Sequence, residues 1–141
     1  MHGSFINAMF VEEPVGTFGE GYVFRTFPDL DGARRDPGTG YWHCDLVQHE
    51  RLTWTDKVYD LFGLPVGAEV KREWAVARYT AKSRQALDRV RKFGLSRNFG
   101  FILDARIKPE GRASRWIRVL AVPVVAEDGR IVALHGVKRG L

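Results

Sequence analysis

His43 and Asp45 stand two residues apart, and with His135 they supply two imidazoles and a carboxylate, groups that bind a metal ion or carry a proton. No fourth partner accompanies them, and an imidazole on an open surface lacks the enclosure that tunes its pKa. The three are therefore read as surface residues, with neither a metal site nor a catalytic residue assigned. Asp104 and Arg106 are the remaining candidates for acid or base work, and only if their strand turns them inward. Cys44 is the single cysteine, which excludes an intramolecular disulfide and fits a reducing compartment. The glycine run GTFGEG (16–21) has the wrong spacing for a dinucleotide fingerprint. A phosphate-cradling loop ending in Lys-Ser/Thr, zinc-type cysteine spacing, HExxH and GxSxG are all missing from the sequence. The chain is read as non-catalytic.

Charge offers a second chemistry. Residues 71–97 carry nine lysines and arginines against Glu73 and Asp88, a net of +7, while the whole 141-residue chain carries +5. A helical surface this basic is a candidate for nucleic acid or another polyanion, but charge runs on helices usually face water. Polyanion binding is accordingly the alternative reading and nucleic acid is not the expected partner. The length corresponds to one domain able to bury about 70% of its unfolded surface, so no structural metal or disulfide is needed. No apolar run reaches the roughly 18 residues of a membrane span and no exported-protein leader opens the chain, so no membrane partner and a cytoplasmic location are expected.

These residues need elements to position them. Residues 1–39 are broken by glycine and proline yet rich in apolar side chains such as Phe5, Phe10, Tyr22 and Phe24, so they are read as an N-terminal extension that packs or dimerises rather than as a linker. Strands are expected at 41–47, 51–54, 99–108, 114–124 and 130–137, the last three joined by Pro-Glu-Gly and Glu-Asp-Gly turns. Thr55 is placed as the cap of a two-turn helix that Gly63 and Pro65 stop. A short helix up to Tyr79 and a longer one ended by Gly94 follow, the longer burying Ser83, Ala86, Leu87 and Val90 while Arg91 lies off that face. Two strands, helices, then a three-stranded meander make an α+β fold.

GYWHCDL (40–46), LTWTDKVYDLFGL (52–64), FILDARI (101–107), RWIRVLAVPV (115–124) and EDGRIVALHG (127–136) resemble, in order, the motifs of PAS domains with a PAC-type C-terminal part. Cys44 stands where a second Trp is usual, and Thr55 replaces the common Ser. The resemblance implies a PAS domain at 40–141: a five-stranded antiparallel sheet with its first strand near the centre and helices on one face. It also implies a bacterial signal-transduction sensor that binds a small ligand, a partner protein or both, acts through homodimerisation, and has no chemistry of its own. The chain stops soon after the last expected strand, so output is expected through a partner protein or through an effector domain of a larger protein. The cofactor stays unassigned: no second cysteine supplies the light-sensing N-C-R motif of cysteinyl-flavin members, and no histidine between residues 50 and 134 can ligate haem from the long helix.

Strand parity from the resemblance turns Trp42 and Cys44 under the helices, where Cys44 acts as a small buried hydrophobe. With Phe62, Leu87, Val90, Phe101, Leu103, Ile117, Val119 and Leu134 they form an apolar interior, either a filled core or a ligand pocket. The same parity puts His43 and His135 on adjacent strands of the outer face. Trp116, Leu120, Val122 and Val137 also point outward, so that face is expected to be sealed by the extension, through residues such as Phe5 and Phe10, or by a second subunit.

Overall fold

Alternating residue types and glycine-containing turns build one antiparallel sheet. The computed structural model describes residues 16–18, 21–25 and 29–141. In chain order these form β1 (Gly16–Phe18), β2 (Gly21–Phe24), α1 (Leu30–Arg34), β3 (Thr39–Asp45), β4 (Arg51–Trp54), α2 (Asp56–Phe62), α3 (Arg72–Ala77), α4 (Ala81–Arg97), β5 (Gly100–Ile107), β6 (Arg115–Val125) and β7 (Ile131–Gly140). Among the described residues the sheet has seven strands in the order β1-β2-β5-β6-β7-β3-β4. The expected five are there, but β3 lies next to the β4 edge and β6 takes the centre. The two extra strands are a hairpin of the N-terminal extension, added at β5 with Tyr22 opposite Ile102. Glycine-rich 1–40 has no periodicity to announce them.

The inner face of the sheet carries α2, α3 and α4, whose Val58, Phe62, Ala75 and Val90 share a core with Phe101, Leu103, Ile117 and Val119. On the outer face, Phe24 of β2 and Leu30 of α1 pack with Ile102, Leu120, Val122 and Val137. An ion pair between Arg139 and Asp36 ties the turn after α1 to β7. A short helix thus lies on the face expected to be free of helices, and the chain's own extension buries Leu120, Val122 and Val137. Their burial needs no second subunit. Phe5 and Phe10 lie outside the described residues.

Local details depart from expectation for clear reasons. The Thr55 hydroxyl does not cap α2; it accepts from the Tyr41 N–H at 2.8 Å and donates to the Tyr41 carbonyl at 3.3 Å, fastening the helix start to β3. Gly63 does stop α2, with φ of 76° and the Glu110 carbonyl 2.7 Å from where a Cβ would stand. Gly94 does not end α4, which runs on to Arg97 and closes at left-handed Asn98, φ 57°. It is glycine because the returning chain crosses there, with the Phe99 carbonyl 2.7 Å from a built Cβ.

Candidate ligand cavity beneath the helices

Inward parity on four strands and one face from each of two helices border a cavity of about 60 Å³. β3 contributes Trp42 and Cys44, β5 Phe101, β6 Val119, and β7 Leu134 and Lys138; Leu87 and Arg91 come from α4, and Arg72, Ala75 and Val76 from α3, with Leu52 and Tyr79 completing the wall. Six of the ten expected pocket residues line it: Trp42, Cys44, Leu87, Phe101, Val119 and Leu134. The other four, Phe62, Val90, Leu103 and Ile117, are fully buried core behind it.

The interior is not apolar throughout, since Arg72, Arg91 and Lys138 stand on its wall and no acid does. β7 runs three residues past the expected end, and the Leu134, Gly136, Lys138 alternation carries the lysine inside, where it is 8% exposed. Its ammonium lies 4.9 Å from the Phe62 ring centre, 5.2 Å from Trp42, 5.7 Å from Trp54 and 5.8 Å from Tyr79. Such faces attract a cation, but they cannot accept its three N–H bonds as oxygen does. Among the described residues Lys138 has no hydrogen-bonding or acidic partner. Burial, reinforced by the positive charge of Arg72, pushes its pKa down to about 7. The indole N–H groups of Trp42 and Trp54 are buried without an acceptor. Burial pushes the Cys44 thiol up, away from the reactive thiolate, and raises the Tyr79 phenol.

Glu50 holds the two arginines, with one carboxylate oxygen 2.7 Å from Arg91 and 3.5 Å from Arg72. It follows His49 in a turn where both residues are left-handed, φ 57° and 58°. Glu50 also lines an open groove of about 840 Å³ between the β3–β4 turn and the segment leading into α3. Leu52 and Arg72 belong to both groove and cavity, so the Glu50 cluster stands at the boundary between them.

The other candidates fall elsewhere. His43 pairs across strands with His135, whose Nδ1 is hydrogen-bonded to the Tyr41 hydroxyl at 2.6 Å, while Asp45 accepts from the Val47 and Gln48 N–H groups of the following turn. No cluster suited to a metal ion occurs among the described residues. Asp104 faces outward in a two-point ion pair with Arg118 at 2.6 and 2.8 Å, and Arg106 is exposed beside Trp116 in the register. Trp116 itself is 43% exposed. In the basic segment, Arg72 and Arg91 turn to Glu50, Arg78 to Glu110 and Lys92 to Asp88, so part of the surface charge is internally matched.

No protein-family model and no curated protein matches this sequence. Solved structures do. The N-terminal domain of a diguanylate cyclase with a PAS/PAC sensor from Marinobacter aquaeolei is 16% identical, with a TM-score of 0.65 over 72% of this chain and 94% of that one. A sensory box histidine kinase/response regulator from Burkholderia thailandensis is 12% identical, with a TM-score of 0.65 over 77% and 81%. The PAS domain of a protein from Colwellia psychrerythraea is 14% identical, with a TM-score of 0.61 over 80% and 98%. No helix among the described residues is long and apolar enough to cross a membrane. The antiparallel sheet with α2 to α4 across its inner face, together with these likenesses, identifies the fold of the chain as that of a PAS domain.

Proposed function

We propose that this chain is a non-catalytic sensor module of a bacterial, cytoplasmic signal-transduction system. Residues 40–141 form the sensor and residues 1–39 the segment that passes its state to a partner protein or effector domain. A small molecule occupies the cavity beneath the helices, and occupancy shifts the population of two arrangements of the outer face, which requires different ligand affinity in each. The observation that carries this reading is the cavity itself, walled by the residue types of a binding pocket and bordered by the buried Lys138, which has no acidic partner, and by the partly exposed Arg72 and Arg91, which pair with Glu50 at its mouth. Its neighbours in fold, a cyclase sensor and a sensory kinase among them, support the class. The lone cysteine fits a reducing compartment.

Homodimerisation belongs to the same proposal. Trp116 and Tyr22, the latter 44% exposed, stand on the outer face two register positions to either side of the Asp104 and Arg118 pair. That patch, rather than Leu120, Val122 and Val137, is available for a second subunit. Native mass spectrometry of freshly purified protein, read with its absorption spectrum, tests ligand and subunit count together. A bound small molecule and a dimer that Trp116→Ala weakens are expected; a monomer, or a dimer indifferent to that substitution, ends the association part. The polyanion alternative predicts RNA or DNA affinity falling steeply with salt.

A further inference from the structure

Three N–H donors of a buried lysine need oxygen, and here aromatic faces surround them instead. Trp42, on the wall of the same cavity, adds a buried indole N–H with no acceptor, and no acid lines that wall. The interior is therefore rich in donors and short of acceptors. Next to Lys138 the wall is apolar, with its register partner Val119, Leu134 on the same strand, and Phe101. Space of about 60 Å³ admits roughly four to six heavy atoms.

We propose that the cavity is a binding site for a small organic monocarboxylate, its charged head held by Lys138 and the arginines Arg72 and Arg91, its short tail against Phe101, Val119 and Leu134. The assignment rests on the sensor reading and names the ligand class that reading leaves open. Glu50 already shows the mode of recognition, since its carboxylate engages Arg91 and Arg72 at the boundary with the open groove. A ligand entering from the groove competes with Glu50 for these guanidiniums. Releasing Glu50 frees a turn whose two left-handed residues are a conformation L-residues rarely adopt, so occupancy is transmitted to the connection between β3 and β4. A bare inorganic anion would leave the apolar wall unused, and a neutral molecule would leave the ammonium unpaired.

Charge near the site comes from Arg72 on α3, Arg91 on α4, Glu50 at the mouth and Lys138 on β7, with the Cys44 thiol on β3 and the Tyr79 phenol nearby. Burial raises the thiol and the phenol, so the lysine is the group that loses its charge near neutrality. Sodium propionate, propionamide and sodium nitrate are titrated into the full chain at constant ionic strength, by calorimetry and tryptophan fluorescence, from pH 6 to 9. Saturable binding of propionate is expected at pH 6, falling toward tenfold per pH unit above about 7. Lys138→Met and Arg91→Gln weaken it at least tenfold, Lys138→Met also flattens the pH profile, and Glu50→Gln strengthens it several-fold by removing the competing carboxylate. Propionamide or nitrate binding as well as propionate overturns the proposal, as does wild-type affinity in folded Lys138→Met. Propionamide binding alone ends the carboxylate assignment and leaves the sensor reading with a neutral ligand. No binding in any series, with a ligand-free native mass spectrum, ends both.

Discussion

Burying the Lys138 ammonium beside Arg72, with no carboxylate to offset it, makes the charged form costly in the folded chain. Its folded pKa of about 7 lies below the unfolded value of roughly 10.4. Between those two values the unfolded chain holds a proton that the folded chain lacks, so this group makes stability rise with pH from about 7 to about 10.4, and below 7 its penalty is present in full. Lys138→Met removes the charge and keeps an apolar chain of similar length. The variant is expected to exceed wild type by roughly 1–4 kcal/mol at pH 6, with the gap narrowing toward pH 10; urea unfolding at pH 6, 8 and 10 measures it, and a gap independent of pH contradicts the account. Cys44, 3% exposed and with its thiol raised, is expected to react with a thiol reagent only after unfolding, which a colorimetric assay with and without urea checks. Parity correctly placed Trp42 and Cys44 inward. The same rule reaches Lys138 from Leu134, but a strand ended at Val137 stops one residue short, because a basic Lys-Arg pair before glycine reads as an exit into solvent. Arg91 follows Leu87 by one helical turn and so borders the buried face; what draws it inward is Glu50, 41 residues away, a pairing no local pattern encodes.

At the scale of elements, α4 shows how a backbone crossing overrides punctuation. Glycine inside a helix costs about 1 kcal/mol against alanine, so Gly94 reads as a stop. The crossing of Phe99, whose N–H donates to the Gly94 carbonyl at 3.0 Å, reverses the sign. Gly94→Ala is expected to destabilise by about 1–3 kcal/mol, because the atom it meets is backbone and cannot swing aside; equal or greater stability in chemical denaturation would show that the chain gives way. The break between α3 and α4, the stop at Gly63 and the order of the last three strands were all readable, since each rests on short-range turn chemistry or periodicity. The use of Thr55 against Tyr41, rather than as a helix cap, depends on a strand 14 residues earlier.

For the molecule as a whole, the decisive feature is closure of the second sheet face by the chain's own N-terminal extension. Apolar residues at alternate positions of β6 and β7 announce that this face is covered; which segment covers it depends on long-range packing of a glycine-rich stretch without periodicity. Leu30→Ala is expected to cost about 2 kcal/mol or more and to expose Leu120, Val122 and Val137 enough to raise binding of an apolar dye. Unchanged melting temperature and dye binding would remove α1 from the account of the outer face.

Within the described residues the ribbon ends on three-residue β1 at one margin and on four-residue β4 at the other, while its longest members, β6 with eleven residues and β7 with ten, lie in the middle. Open amide and carbonyl groups on a long margin recruit further chains and seed fibres. Borders as short as β1 and β4 offer little of that foothold for growth from molecule to molecule.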